Sequence, residues 1–250
     1  MIDNPFEAPR DPSFPPLFQP QTAGGTTDPF DKACALAALG CDSGVLVHNV
    51  TADRLRAAIV FAPEMPLEQA MQAFCACATG FQNAFGALAP PEVALHLTWA
   101  GDILVNGAKS GCLRAAASHS DPQAVPDWLV VGLEVWLIPQ EGDEPGDAPD
   151  QTCLYLEGCA EVSPLDLLEG WARHSLIWVN AVVEGDTRAL HGEWRELLYG
   201  VGTEIPLGIA GQPAQGTFMG TDASFAMLLR NGSDTTLIPL SALLTREETT

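Results

Sequence analysis

The sequence predicts an α+β fold, in which a mixed β-sheet is layered with helices and followed by a small β module. A nearly all-apolar run, residues 128–138 (WLVVGLEVWLI), is typical of a central strand covered on both faces. Two long stretches beginning at Pro66 and Ser163 repeat apolar residues every three or four positions, as amphipathic helices do. After Val201 the sequence changes to short β-like runs separated by Gly, Asn and Asp turns.

The N-terminal segment, residues 1–27, is predicted to be an extended arm. Prolines at positions 5, 9, 12, 15, 16 and 20 exclude both a helix and a central strand. The first helix is expected directly after this arm. Asp28 is suited to cap it, Pro29 to occupy its first position, and Gly40 to end it.

The next segment predicts two strands and a long helix. Residues 44–50 and 55–61 are apolar and short enough to be strands. The helix that begins at Pro66 carries an apolar stripe as far as Phe85 and is stopped by Pro90-Pro91. We therefore expect the order helix, two strands, helix before the middle of the chain.

A β-hairpin is predicted at the middle of the chain. Val93 to Trp99 alternates apolar and polar residues with the period of a half-buried strand, and residues 102–105 form a second short strand. Asn106-Gly107 favours a tight turn because both residues tolerate positive φ. The chain then returns through residues 108–117, which places Lys109 just past the turn.

The last hundred residues predict a loop, two helices and the β module. The segment 139–151 (PQEGDEPGDAPDQ) is an acidic loop, expected to be mobile. One helix begins at Ser163 and breaks at 184–186, and a second covers 187–199. The β-like runs that follow predict a small barrel; they are residues 205–209, 215–220, 225–230 and 236–240.

The composition restricts the function classes. Eleven basic residues against 32 acidic ones give a formal net charge of −21, so binding to nucleic acid or to an anionic membrane surface is not expected. No apolar run reaches membrane-spanning length, and the N-terminus has no signal-peptide pattern. The seven cysteines include no Cys-x-x-Cys pair, and no histidine has metal-ligand spacing. We expect a cytoplasmic protein with reduced thiols and without a metal site.

The motif Trp99-Ala100-Gly101-Asp102 is followed by the hairpin, by Lys109 and Gly111, and by the apolar strand with Gly132. This series resembles the core of the biotin protein ligase and lipoate protein ligase superfamily, which includes octanoyltransferases. The order of elements from residue 28 to about 199 is similar too. The terminal β module resembles the SH3-like domain at the C-terminus of biotin ligases.

The resemblance implies three units: an arm at 1–27, a class II synthetase-like α+β domain at 28–200, and an SH3-like β barrel at 201–250. It also implies an activity, in which a small carboxylic acid such as biotin, lipoate or octanoate is adenylated with ATP and Mg. The acyl group then passes to a lysine of a biotinyl or lipoyl acceptor domain or of another acyl carrier. An acyl-adenylate is negatively charged, so a positioned ammonium must face it.

The residues implied to do this are one catalytic residue and five that contact the ligand. The catalytic residue is Lys109, and the ligand-binding residues are Trp99, Asp102, Gly111, Arg114 and Gly132.

Four of these residues also have an ordinary structural interpretation. Lys109 could be a solvated lysine beside a turn, and Arg114 could extend from a strand edge into solvent. Trp99 could belong to the core, and Asp102 could cap the turn that follows it. Both interpretations of each residue stay open at this point.

The sequence departs from the family pattern in four places, and two of them concern the phosphate loop and Lys109. The phosphate-wrapping Gly-Arg-Gly-Arg-x-Gly loop would fall between strands 44–50 and 55–61, where only Thr51-Ala52-Asp53-Arg54 stands. Lys109 lies ten residues after Trp99, as in the family, but one residue instead of two separates it from Gly111. A one-residue shift in a strand reverses the direction of a side chain. A catalytically silent relative that binds a small carboxylate or a protein partner is therefore the second hypothesis.

Overall fold

Seven strands form one mixed sheet. Six of them lie in segments predicted to be strands, and the seventh lies in the N-terminal segment predicted to be an extended arm. The structure is a computed structural model that describes residues 10–139, 148, 150–209 and 212–244, with backbone alone for 206–209 and 212–214. The rest of the predicted arm, most of the acidic loop and the last six residues lie outside the described residues. The strands are β1 (Gln19–Thr22), β2 (Val45–Val50), β3 (Arg54–Phe61), β4 (Leu95–Leu97), β5 (Asp102–Val105), β6 (Ala108–Ala117) and β7 (Leu129–Trp136).

The order of strands across this sheet is β1-β2-β3-β7-β6-β5-β4. Every pair is antiparallel except β1 with β2, which is parallel. β7, which is apolar except for Glu134, lies at the centre, as its composition predicts. β1 lies at the edge, where the prolines of the arm are tolerated.

The helices are α1 (Pro29–Ala38), α2 (Leu67–Ala70), α3 (Gln72–Leu88), α4 (Pro164–Glu184) and α5 (Arg188–Leu197). The predicted cap is confirmed, since the Asp28 side chain accepts a hydrogen bond from the Phe30 N–H, 2.8 Å away. The single long helix predicted from Pro66 is instead divided at Met71 into α2 and α3. Among the described residues, none of these helices is long and apolar enough to cross a membrane.

The two faces of the sheet are covered differently. α3 and α4 pack together against one face and enclose the larger core, to which Leu55, Ile59 and Leu113 contribute from the sheet. On the other face, α1 covers only one end, where Phe30 and Ala33 pack against Val47 and Val130. The part of this second face beyond α1 carries polar side chains.

The C-terminal β module is a four-stranded antiparallel sheet formed by β8 (Glu204–Ile209), β9 (Gln212–Thr221), β10 (Met227–Asn231) and β11 (Asp234–Ile238). Its order is β11-β10-β9-β8, so the predicted β module is confirmed, whereas closure into a barrel stays a prediction. Phe218 and Met227 of this sheet, and Phe225 of the loop between β9 and β10, belong to the same core as α3 and α4. The module therefore shares the core of the larger unit.

Glu68 of α2 binds the backbone just after β11, at the end of the C-terminal β module. Its two carboxylate oxygens accept hydrogen bonds from the backbone N–H groups of Leu240 (2.6 Å) and Ser241 (3.1 Å). We expect Glu68→Gln to lower the free energy of unfolding by about 1–3 kcal/mol, because one charged acceptor is replaced by an amide donor. Urea denaturation measures this change. Glu64→Gln, at an exposed position of the preceding loop, is the matched control, and equal midpoints for the two variants would contradict the assignment.

Candidate ligand-binding face of the sheet

The part of the second face that no described helix covers, which we call the uncovered face, carries a continuous row of polar side chains. Cross-strand pairing places Asn49 beside Arg56, Arg56 beside Glu134, Glu134 beside Cys112, and Cys112 beside Asp102. The row thus crosses five strands, from β2 to β5. We call these five residues the polar row.

Lys109 joins this row because β6 contains a bulge. Lys109 pairs with Leu104 while Gly111 pairs with Ile103, so Ser110 is the extra residue. The bulge turns Lys109 to the same face as Asp102, and its Nζ lies 2.5 Å from Asp102 Oδ1. The side chain of Asp102 also accepts a hydrogen bond from the Thr98 hydroxyl, at 3.3 Å. This bond belongs to the turn before Asp102, whereas the sequence predicted a cap on the turn after it.

The charge of Lys109 is stabilised by this pair. Burial lowers the pKa of the ammonium, but the hydrogen bond and the charge of Asp102 raise it, and the net pKa lies above its ordinary value. The charge pair therefore stabilises the fold at neutral pH, and this stabilisation is lost as the pH rises through the folded-state pKa of Lys109. At neutral pH Lys109 is a cation and cannot act as a general base.

Arg114 lies on the same face as Lys109, at the border with α1. Its Nη2 donates to Asp28 Oδ2 at 2.7 Å, and its guanidinium lies 4.5 Å from the ring centroid of Phe30. β6 is an inner strand at this point, so Arg114 does not extend from an edge into solvent. Burial lowers the pKa of the Arg114 guanidinium, but the hydrogen bond to Asp28 and the negative charge of Asp28 raise it by more. The net pKa therefore lies above its ordinary value.

Asp28 serves both the helix and the arginine, and the two roles can be separated. Asp28→Asn keeps an oxygen for the Phe30 N–H but removes the charge that faces Arg114. We expect a loss of about 1–3 kcal/mol in the free energy of unfolding, since Arg114 stays half-buried without its counter-ion. Urea denaturation checks this, with Asp31→Asn in the first turn of α1 as the control. An unchanged midpoint for Asp28→Asn would show that the pair contributes nothing.

Two further arginines, which the sequence patterns did not single out as site residues, lie on this face. Arg54 Nε is 3.4 Å from Glu134 Oε1, and its guanidinium lies 5.1 Å from the ring centroid of Trp136. Arg56 pairs with Glu134 across the strands. The signal was the alternation in Arg54-Leu55-Arg56, which places both arginines on the face opposite the apolar one.

Two polar atoms of the polar row are buried without a hydrogen-bond partner among the described residues. They are Arg56 Nε, a donor, and Asn49 Oδ1, an acceptor. The orientation of the Asn49 amide is fixed, because its nitrogen donates to the carbonyls of Ala23 (2.7 Å) and Gly25 (3.4 Å). A donor and an acceptor therefore lie on neighbouring strands without partners.

Cys112 lies in the middle of the polar row. Burial and the charge of Glu134 raise the pKa of its thiol above the ordinary value. Cys112 is therefore a neutral thiol at pH 7 and is not an activated nucleophile.

The structure places the other three predicted ligand-binding residues differently. Trp99 is fully buried in the helix-side core, and its Nε1 donates to the Phe225 carbonyl at 2.9 Å, which agrees with the core interpretation. A Cβ on Gly132 would lie 2.5 Å from Phe30, so this glycine makes room for a ring of α1. A Cβ on Gly111 would lie 2.2 Å from the backbone oxygen of Glu134. Lys109, Asp102 and Arg114 are the predicted residues that share the uncovered face.

The described residues contain no group of three His, Cys, Asp or Glu side chains that could hold a metal ion. Between β2 and β3, where the family's phosphate-wrapping loop would fall, the chain makes a short turn, as its sequence predicts. In it the Thr51 N–H donates to the Arg54 carbonyl at 2.9 Å, and the Thr51 hydroxyl donates to Asp53 at 2.9 Å.

Comparison with known proteins agrees with this fold. The model of the biotin/lipoate A/B protein ligase family matches residues 14–196, and a domain of unknown function matches residues 210–246. A biotin–[acetyl-CoA-carboxylase] ligase of Paracoccus denitrificans is 25% identical over 182 residues, which cover 72% of this chain and 75% of that protein.

Two solved structures extend the comparison to the C-terminal module. A biotin protein ligase-like protein of unknown function from Silicibacter sp. is 52% identical, with a TM-score of 0.87, over 94% of this chain and 100% of that one. The biotin protein ligase of Aquifex aeolicus in complex with biotin and ATP is 15% identical, with a TM-score of 0.61, over 88% of this chain and 95% of that one.

The family model covers well over half of the chain, and the overall fold is similar to that of the two solved structures. The chain is a member of the biotin/lipoate A/B protein ligase family.

Proposed function

We propose that the uncovered face of the sheet binds a small carboxylic acid and that the protein attaches this acid to an acceptor lysine. The observation that carries the proposal is the pair of buried, unpartnered atoms Arg56 Nε and Asn49 Oδ1, in the same row as the Lys109–Asp102 ion pair. Biotin, lipoate and octanoate are the candidate acids.

The unpartnered atoms favour a ligand because leaving them unpaired is costly. A buried donor or acceptor without a hydrogen bond costs about 1–3 kcal/mol. A ligand that offers an acceptor to Arg56 Nε and a donor to Asn49 Oδ1 recovers this energy. These positions can therefore recognise the polar body of a ligand.

The charges of the face favour an anionic group. Arg54, Arg56, Lys109 and Arg114 are four of the eleven basic residues in a chain of net charge −21. Three of them have a carboxylate partner on the face, so the cations are held in place rather than spread in solvent. A carboxylate that approaches Lys109 meets an ammonium that is charged at neutral pH.

The proposed chemistry is that of an acyl-adenylate, in which ATP supplies the phosphate that turns the acid into an acyl donor. The residues that fit its negative charge are Lys109 and Arg114, whose partners keep them oriented toward the face. Mg would come with the nucleotide, since the described residues offer no cluster of their own for it. The acceptor would be a lysine of a biotinyl or lipoyl carrier domain, and the compartment the cytoplasm.

A second function is favoured by the turn between β2 and β3. Three residues, Thr51 to Asp53, connect these strands, so no long backbone loop is present there to surround a phosphate. A protein with this turn can bind a small carboxylate or a protein partner without activating an acid. It would then be a catalytically silent member of the family.

Two measurements separate these functions. Isothermal titration with biotin, lipoate and octanoate detects binding, and ATP–pyrophosphate exchange with each acid detects adenylation. Exchange with one acid supports the ligase proposal, whereas saturable binding without exchange supports the silent alternative. Absence of both binding and exchange for all three acids would overturn the proposed site.

A chemical probe locates the binding. Lys32 and Lys109 are the only lysines of the chain, so acetylation followed by peptide mass spectrometry compares a site lysine with an outside one. A bound acid is expected to slow acetylation of Lys109 and leave Lys32 unchanged. Equal protection of both lysines would place the binding elsewhere.

A further inference from the structure

The turn that carries Asp102 is held by a small set of hydrogen bonds. The Asp102 N–H donates to the Thr98 hydroxyl at 2.9 Å, and the Thr98 N–H donates to the Asp102 carbonyl at 2.9 Å. Gly101 completes the turn with a φ of 99°. The position of Asp102, and with it the partner of Lys109, therefore depends on residues 98–102.

Trp99 in this turn is anchored to the C-terminal module. Its side chain is 1% exposed, and its indole N–H donates to the carbonyl of Phe225. This bond joins residues 126 positions apart in the chain. It is a direct link from the module to the turn that holds Asp102.

The loop 222–226 presents that carbonyl in an unusual conformation. Phe225 has a φ of 68°, which is unfavourable for a side chain of its size. Asp222 fixes the loop, because its Oδ1 accepts the N–H groups of Ser224 and Ala226, each at 2.9 Å. The buried Phe225 ring packs edge-on against His191 of α5, with centroids 4.9 Å apart.

We propose that the loop 222–226 positions the Lys109–Asp102 ion pair through Trp99, so that the C-terminal module sets the geometry of the candidate site. A strained loop persists when its surroundings over-determine it, and here those surroundings are Asp222, His191 and the Trp99 indole. The inference deepens the proposed function, on which its biological meaning rests, but the coupling itself can be measured without a ligand.

The main test compares two tryptophans. Trp99→Phe removes the bond to Phe225 and keeps most of the apolar volume. Trp171→Phe is the matched control, since Trp171 is equally buried and its Nε1 donates to the Cys77 carbonyl at 3.0 Å. Both variants lose one buried indole bond, and we expect similar drops in the urea midpoint.

The reporter is the acetylation rate of Lys109 as a function of pH, with Lys32 as the internal reference. Weakening of the ion pair in Trp99→Phe is expected to lower the Lys109 pKa toward its ordinary value. Acetylation of Lys109 at fixed pH is expected to become about threefold faster, because a larger fraction of the amine is deprotonated. Trp171→Phe should leave the rate at its wild-type value. A Lys109 pH profile that is identical in Trp99→Phe and wild type would overturn the proposal.

A second pair of variants acts from the module. Asp222→Ala removes the two hydrogen bonds that fix the loop 222–226. Its control is Asp121→Ala, which removes a similar bond in an exposed loop, where the Gln123 N–H donates to Asp121 Oδ1 at 3.0 Å. Only Asp222→Ala should accelerate Lys109 acetylation. If neither does so while both stay folded, the loop does not position the ion pair. Because no acid or ATP is present in these assays, a failure of the proposed function is read separately, from the titrations with acids.

Discussion

Lys109→Met is expected to weaken binding of the carboxylic acid about 100-fold, the loss that corresponds to a charge-assisted hydrogen bond of about 3 kcal/mol. Lys109 is the cation of the uncovered face nearest to Asp102, and Met keeps most of its length while removing its charge. Where the wild type exchanges pyrophosphate, the variant is expected to fall to background, because the acyl-phosphate charge loses its facing ammonium. Titration calorimetry and exchange measure the two effects.

The matched control is Lys32→Met. Lys32 is the other lysine of the chain, and its Nζ donates to the Thr22 carbonyl in an exposed position. Removing the charge of Lys32 changes the net charge of the protein by the same one unit, but it leaves the residues of the polar row unchanged. Asp102 is 35% exposed at its side chain, so water can hydrate it when Lys109 is removed, and the fold should persist. Wild-type affinity in Lys109→Met would remove Lys109 from the site.

Much of the fold follows from local patterns. The Asp28 cap is confirmed because capping depends on neighbouring residues only. The Asn106-Gly107 turn is confirmed for the same reason, with φ of 51° and 93°. β7 is central because nearly all of its side chains are apolar, and they pack against α3 and α4 on one face and against α1 at one end of the other. In each case a short segment contains the physical cause of its own structure.

The side-chain directions at the site do not follow from local patterns. Counting by twos along β6 from Gly111 turns Lys109 toward the helices, and only the extra residue Ser110 brings it to the face of Asp102. A bulge depends on how β5 pairs with β6, which one strand does not reveal. The position of Lys109 just after the hairpin turn could therefore be predicted from the sequence, but the face of the sheet to which its side chain points could not.

The arginines of β3 were missed for a related reason. The family pattern directs the search to a loop between β2 and β3, whereas Arg54 and Arg56 stand on the strand after it. Their meaning depends on Glu134 and Asn49, which lie far away in sequence and adjacent across the sheet. The buried position of Trp99 could not be predicted from the hairpin pattern either. Its indole N–H donates to the carbonyl of Phe225, which belongs to the C-terminal module and not to the hairpin.

Gly111→Ala is expected to destabilise the fold more than the loss of either carboxylate, Glu68 or Asp28. A Cβ at this position would lie 2.2 Å from the Glu134 backbone oxygen and 3.0 Å from the Val135 Cα. These are backbone atoms of the central strand, which cannot rotate away as a side chain would, so β6 and β7 must separate. We expect a loss of about 3 kcal/mol or more in the free energy of unfolding, the range in which overpacking of a buried site distorts the backbone.

The comparison variant, Gly192→Ala, applies the same chemical change where space is open. Gly192 is exposed in α5, and a Cβ there would meet no atom within 4 Å. Replacing a helical glycine with alanine is expected to stabilise the protein by about 0.5–1 kcal/mol, because alanine has the higher helix propensity. The two variants should therefore shift the urea midpoint in opposite directions. A Gly111→Ala protein as stable as the wild type would mean that β6 and β7 are not in the register that brings Cys112 beside Glu134, and the polar row would no longer be continuous across the sheet.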